Sequence, residues 1–283
     1  MAIHILDGAM GSTLMSQTGC TSEVWTLNFT HPQVVADLLR TYAQAGSEYI
    51  HTNSFTINPF TVKNTPYGMV ESLQRSIDVA KEAVAGTSAK VAYDIGPLPQ
   101  LMEPYGDLSE EECYDIYRSI LEVGVGQVDA FSFLTFFDLP MLTVCAKIAH
   151  ELNVPFLACL TFGAGNHTIM GNSPQDMVTA IAPYQPLALG LNCSHEPSKL
   201  MDILFEFRHH TQLPLIFKPN AGSPDTQSSQ VVYHTDATHF AQEMIPAFSV
   251  GEVYVGGCCG TTPQYIQALT EQVRVYQREN EPK

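Results

Sequence analysis

Along the whole chain, short and nearly unbroken apolar runs alternate with longer stretches in which apolar residues recur every three or four positions. Eight runs are of the first kind: Ile3–Gly8, Tyr49–Phe55, Lys90–Ile95, Val128–Thr135, Phe156–Phe162, Leu187–Cys193, Leu215–Pro219 and Glu252–Cys258. Runs apolar at successive rather than alternate positions mark parallel strands buried on both faces. The amphipathic stretches predict helices over Pro32–Ala45, Glu71–Ala85, Ser109–Gly124, Leu139–Leu152, Ser173–Ile181, Glu196–His210, Asp236–Phe248 and Pro263–Glu279. Their starts carry the expected chemistry. Pro32 falls early in its helix, where a missing N–H costs little. Ser109-Glu110-Glu111-Glu112 reads as a capping box with acids in the first turn, and Thr262 precedes Pro263 as a cap. The charged tail Arg278–Lys283 reads as a frayed end.

Eight βα units within 283 residues predict an α/β protein, a single (β/α)8 TIM barrel forming one domain over residues 1–283. The alternative is an open doubly wound sheet, which usually carries a G-x-G-x-x-G turn after its first strand. No such motif follows Ile3–Gly8. In a barrel the chemistry gathers where strands end and βα loops begin. Those ends read Asp7-Gly8-Ala9-Met10-Gly11, Thr52-Asn53-Ser54, Thr135, Asn192-Cys193, Lys218-Pro219-Asn220-Ala221-Gly222 and Gly256-Gly257-Cys258-Cys259-Gly260. The long first loop, Ala9 to Thr30, is placed to act as a lid.

Cys193 ends the sixth strand and Cys258-Cys259 the eighth, so all three share one rim of the barrel. Adjacent residues on a regular strand face opposite ways. Both members of the pair can face one point only if the chain leaves strand geometry, which Gly256, Gly257 and Gly260 allow. Three convergent thiolates suit Zn2+ with its fourth position open, and a thiol bound there becomes a thiolate at neutral pH. Core filling for Cys193 and a strained vicinal disulfide for the pair are the competing readings. Cys20, Cys113, Cys145 and Cys159 read as packing. His195 reads as a loop residue, and His209-His210 as the C-terminal end of a helix. Asp7 is placed either to bind an amino group or to cap the next turn, and Tyr233-His234 either to touch substrate or to form a surface turn.

Charge narrows the classes of partner. Thirteen Lys+Arg against twenty-nine Asp+Glu give a formal charge of −16. Nucleic acid and anionic membrane surfaces are excluded as partners, because both need clustered cations. No apolar run reaches the roughly 20 residues of a spanning helix, and Met1–Gly11 shows no secretory signal, so a cytoplasmic location is expected. Seven cysteines, an odd number, fit a reducing compartment without structural disulfides.

Several of these segments together resemble the zinc-dependent homocysteine S-methyltransferases, over about Ile5 to Leu269. They are Asp7-Gly8-Ala9-Met10-Gly11-Ser12, Leu27-Asn28 with Pro32, Tyr42-Ala43-Gln44-Ala45-Gly46, Thr52-Asn53-Ser54-Phe55, Gly190-Leu191-Asn192-Cys193 and Gly256-Gly257-Cys258-Cys259-Gly260-Thr261-Thr262-Pro263. Lys218-Pro219-Asn220-Ala221-Gly222 is closer to the methionine synthase branch. The resemblance implies a barrel with zinc on Cys193, Cys258 and Cys259, and a homocysteine thiolate that takes a methyl group to give methionine. Asp7, Gly8, Ala9, Thr52, Asn53, Thr135 and Asn192 are the expected substrate contacts. No folate or cobalamin domain is expected beside the barrel. The expected donor is therefore a sulfonium or betaine type of small molecule, or a methyl-corrinoid on a separate protein. A homo-oligomer is left open.

The family usually carries Glu-Thr at the end of strand four, where that Glu helps hold the amino group of homocysteine. This chain reads Leu134-Thr135, keeps Asp138, and has Met141 where a further acid is expected. Gly96-Pro97-Leu98-Pro99 at the third strand end lacks an expected second Gly. Loss of a charge-assisted contact of roughly 1.5–3 kcal/mol implies that Asp7 or another acid replaces it, or that the acceptor is a different small thiol lacking that amine. A non-catalytic module binding a thiol or a corrinoid protein is the third reading.

Overall fold

A computed structural model describes residues 2–21, 23–223 and 233–280. Its strands are β1 (Ile3–Ile5), β2 (Tyr49–His51), β3 (Lys90–Ile95), β4 (Ala130–Phe136), β5 (Phe156–Leu160), β6 (Ala188–Cys193), β7 (Leu215–Pro219) and β8 (Val253–Val255). They form one parallel sheet in the order β1-β8-β7-β6-β5-β4-β3-β2. A parallel bridge between Leu6 and Tyr49 joins its two edges, and the Glu48 N–H donates to the Ile5 carbonyl at 2.7 Å. The sheet is thus a nearly closed (β/α)8 barrel, and the open doubly wound alternative is set aside.

The helices are α1 (Gly11–Thr18), α2 (Leu27–Thr30), α3 (Pro32–Ala45), α4 (Pro59–Val62), α5 (Met69–Val84), α6 (Glu110–Gly124), α7 (Leu139–Glu151), α8 (Pro174–Ile181), α9 (Pro197–His210), α10 (Ala237–Glu243) and α11 (Pro263–Glu279). Capping follows the sequence where the side chains permit it. The Ser109 hydroxyl accepts the Glu112 N–H at 3.3 Å, and Ser173 with Asp176 forms a second capping box. Thr262 does not cap α11; its Oγ1 is buried and has no hydrogen-bond partner among the described residues. Pro246 splits the stretch expected as one helix over Asp236–Phe248. A proline disfavours helical backbone at the residue before it and lacks the N–H that helix continuation needs. So α10 ends at Glu243 and a 3-10 turn covers Ile245–Ser249. The C-terminal helix runs through Arg278 and Glu279 rather than fraying at Arg278, and residues 281–283 lie outside the described residues.

Four strands stop short of their apolar runs: β1 at Ile5 instead of Gly8, β2 at His51 instead of Phe55, β5 at Leu160 instead of Phe162, and β8 at Val255 instead of Cys258. The remaining residues of each run bend out of the sheet and carry polar groups to the rim. The loop from Ala9 to Thr30 is itself structured, with α1, a 3-10 turn over Val24–Thr26, and α2. Leu14 and Trp25, both buried, pin it to the body of the molecule.

Two apolar layers hold the barrel. One lies between strands and helices and contains most of the aromatic side chains. The other fills the barrel's interior. There Tyr49 and Tyr254 pack with the small Ala92, Ala130 and Ala188 and with Leu6, Leu157 and Ile216. Side chains two positions apart on a strand share a face. Two residues beyond Tyr49, Ala92, Ala130 and Ile216 come His51, Asp94, Ser132 and Lys218, all buried. The interior therefore changes from apolar to polar toward the C-terminal ends of the strands. Register holds this layer level: Asp94 pairs with Ser132, and Asn192 with Lys218. Among the described residues, no helix is long and apolar enough to cross a membrane.

Candidate functional site

Above the polar layer lies a cavity of about 460 Å³, roofed by Met10, Met15, Val24 and Trp25 of the first loop and walled by the strand ends. Cys193, Cys258 and Cys259 meet at its edge, with their three Sγ atoms all within 4.8 Å of one another. Cys193 closes β6 in left-handed backbone (φ 69°), as does Ser194 (φ 68°). Such backbone costs a non-glycine residue of order 1–3 kcal/mol and persists only where the surroundings impose it. Here the His195 N–H turns back to the Cys193 carbonyl at 3.0 Å.

The vicinal pair sits on a loop that β7 holds in place. The Cys258 N–H donates to the Pro219 carbonyl at 2.7 Å, and the Ala221 N–H to the Cys259 carbonyl at 2.9 Å. The Cys259 N–H donates to Asn220 Oδ1 at 3.0 Å. Gly260 supplies the left-handed turn (φ 81°), and at Gly257 the Thr261 side chain leaves no room for a Cβ. The loop thus departs from strand geometry as its glycines predicted. Both cysteines face Cys193 as free thiols, not as a vicinal disulfide. Cys113, Cys145 and Cys159 are buried away from the cluster's edge as packing.

The thiols set one another's acidity. Contact with Cys193 pushes the Cys258 thiol up to about 12. Cys193 is lowered by its bond to Cys258, then raised by Cys259 and by burial, with a net rise to about 11. Cys259 is lowered by Cys193 but raised more by Cys258 and burial, to about 12. Without a cation the cluster keeps its protons, since each new thiolate would face two other sulfurs. A divalent ion removes that penalty. Sulfurs around a tetrahedral zinc lie about 3.8 Å apart, given Zn–S bonds of about 2.3 Å. The observed spacing and the all-sulfur donor set fit such an ion.

Beneath the cluster, Asp7 is fully committed. It accepts the His51 N–H at 2.9 Å, faces His51 Nδ1 at 2.7 Å, and lies 3.4 Å from Lys218 Nζ. Burial alone would raise its carboxyl, but His51 and Lys218 outweigh burial and hold it below its usual value. The far side of the His51 ring meets Ser132 Oγ at 2.9 Å. Lys218 also donates to the Gly8 carbonyl at 3.4 Å and to the Gly257 carbonyl, so it ties the first rim loop to the cysteine loop.

Of the other expected contacts, Gly8, Ala9, Thr52, Asn53, Thr135 and Asn192 all line the cavity. Thr135 (φ 58°) sits on a register irregularity in β4. The Asn192 amide clamps it from both sides: Oδ1 accepts the Thr135 N–H at 2.7 Å and Nδ2 donates to Thr135 Oγ1 at 2.7 Å. The same Nδ2 points at Cys258 Sγ, 3.6 Å away. Thr52 Oγ1 accepts the Asp94 N–H at 2.9 Å, joining β2 to β3. The Asn53 side chain donates to the Val24 carbonyl at 3.1 Å and to Asn28 Oδ1 at 3.2 Å, so it fastens the roof. Trp25 of that roof is almost wholly buried, and its indole N–H donates to Glu23 at 2.7 Å.

Asp138 caps α7 through the Met141 N–H at 3.3 Å. His195 turns toward Ser223 at 3.3 Å, and His209 and His210 fall in the last turn of α9. The Tyr233 ring packs against Gly260, next to the cysteine pair, whereas His234 is exposed. Sequence reading did not single out His51 or Asp94, and placed Lys218 at a strand end without giving it a role. The available signal was a polar residue at an inward position of an otherwise apolar strand, two places beyond an interior residue.

The fold and the cluster together define a barrel protein with three convergent thiols, a group that could hold a metal ion, at the C-terminal ends of its strands. The chain belongs to the homocysteine S-methyltransferase family, whose model matches residues 4–273. Membership supports a methyltransferase activity. The chain is similar to a methionine synthase of Mycobacterium tuberculosis, 25% identical over 301 aligned positions that cover 96% of this chain and 24% of that protein. It therefore spans about a quarter of that relative's length. Its fold is similar to the metallated form of the homocysteine methyltransferase MmuM from Escherichia coli, with a TM-score of 0.81 and 22% identity over 96% of each chain. The apo form of the same enzyme gives a TM-score of 0.74 at 24% identity, again over 96% of each chain.

Proposed function

We propose that the protein transfers a methyl group to the thiol of homocysteine to give methionine, with zinc held by Cys193, Cys258 and Cys259. The convergence of these three sulfurs at the edge of the cavity carries the reading. When bound, zinc supplies a Lewis-acid position that lowers the pKa of an incoming thiol. The chain's own residues do the rest. Asn192 and Lys218 hold the two cysteine-bearing segments at fixed separation, one through Cys258 and Thr135 and the other through the Gly257 carbonyl. The roof at Met10, Met15 and Trp25 shields the cavity with apolar surface. A thiolate is a stronger nucleophile out of water than in it, and a fixed cavity supplies orientation that a free encounter lacks. In the transfer, a new S–CH3 bond forms as the donor–CH3 bond breaks, and the bonding pair leaves with the donor. The donor class remains sulfonium or betaine type, or a methyl-corrinoid on a separate protein.

Purified protein is expected to hold about one zinc per chain. Replacing Cys193, Cys258 or Cys259 by Ser should lower metal content and abolish methionine formation in an assay offering sulfonium, betaine and methylcobalamin donors. Full transfer by the triple variant would overturn the reading.

A further inference from the structure

Among the described residues, three acidic side chains line the cavity: Asp7, Glu23 and Asp94. Two of them are spoken for. Asp7 is held by His51 and Lys218, and Glu23 takes the indole N–H of Trp25. Asp94 differs. It is buried on the inward face of β3, and its Oδ1 has no hydrogen-bond partner among the described residues. A buried carboxylate left in this way is costly, and native structures seldom keep one without a reason. Its neighbours on β4 do not meet the need. Ser132, its register partner, bonds His51, and Leu134 further along is apolar. Asp94 and the three clustered cysteines line the same cavity.

We propose that Asp94 is the specificity residue for the acceptor, receiving the protonated amino group of a thiol substrate whose sulfur lies at the cysteine cluster. The acceptor is thus an amino thiol, and a thiol without the amine leaves the Asp94 carboxyl unpaired. The inference rests on the methyl-transfer reading above and adds to it the group that recognises the substrate. Burial raises the Asp94 carboxyl to about 7, with His51 and Lys218 offsetting part of the effect. An arriving ammonium would favour the ionised form and form a charge-assisted hydrogen bond, the stronger kind.

The experiment measures binding by calorimetry on zinc-loaded protein, with L-homocysteine and with 4-mercaptobutanoate, which keeps the thiol and carboxylate but lacks the amine. Wild type is expected to bind homocysteine about tenfold or more tightly than the analogue. Asp94→Asn, nearly isosteric, should lose that preference while binding the analogue within about twofold of wild type. Asp94→Ser serves as a second variant, and zinc content with melting temperature confirms that each is folded. Equal binding of the two thiols by wild type overturns the proposal, as does a preference that survives in both variants. If neither thiol binds the zinc-loaded wild type, the methyl-transfer reading fails, and the inference with it.

Discussion

Asp7 and Asp94 stand in one layer of the same barrel and titrate in opposite directions. The difference lies in their partners. Asp7 has a lysine and an imidazole against it and stays ionised, whereas Asp94 has burial as its largest influence and is raised from 3.8 to about 7. Between about pH 4 and pH 7 the folded protein therefore holds a proton on Asp94 that the unfolded chain has lost. Stability should fall as pH rises through that window and then level off. Asp94→Asn cannot ionise, so this contribution disappears. In urea unfolding of metal-free protein, the variant is expected to match wild type near pH 4 and exceed it at pH 8. A difference that shrinks with rising pH would contradict the sign. Neither aspartate's state was readable from sequence, because each depends on burial in the barrel interior and on Lys218, which lies more than 120 positions away from both along the chain.

At the scale of elements, the rim is made where strands give out. The eight apolar runs located every strand, because burial on both faces writes the same signature each time. They overran β1, β2, β5 and β8 because the runs continue past the point where ladder pairing stops. Cys193, Cys258 and Cys259 were legible because their types are unusual at strand ends and glycines surround the pair. The roof was legible only as a long loop. Its order comes from contacts distant in sequence: the Asn28 side chain donates to the Asn53 carbonyl at 2.8 Å, and Arg75 Nε to the Asn28 carbonyl at 3.0 Å. Asn28→Ala removes one buried donor and one acceptor, leaving the Asn53 groups exposed to a loss of about 1–3 kcal/mol. The expected result is faster hydrogen exchange at Val24–Thr30, with β4 to β7 unchanged. Unchanged exchange across the roof would show that Trp25 packing alone secures it.

For the molecule as a whole, the barrel divides its labour along the strand axis. The end that begins the strands is packed with tyrosine and alanine, and the end that finishes them holds charge, sulfur and space. One side chain sits where the two functions of cover and wall coincide. Trp25 is the single tryptophan of the chain, against twelve tyrosines. Because no other indole contributes, the protein's near-ultraviolet emission above the tyrosine band reports from the roof of the cavity alone. Titrating zinc and then a thiol should change the intensity or wavelength of that emission, whereas ligands bound elsewhere should leave it unaltered. The molecule thereby carries a built-in fluorophore at the one place where occupancy matters, and binding can be followed in real time without attaching a dye.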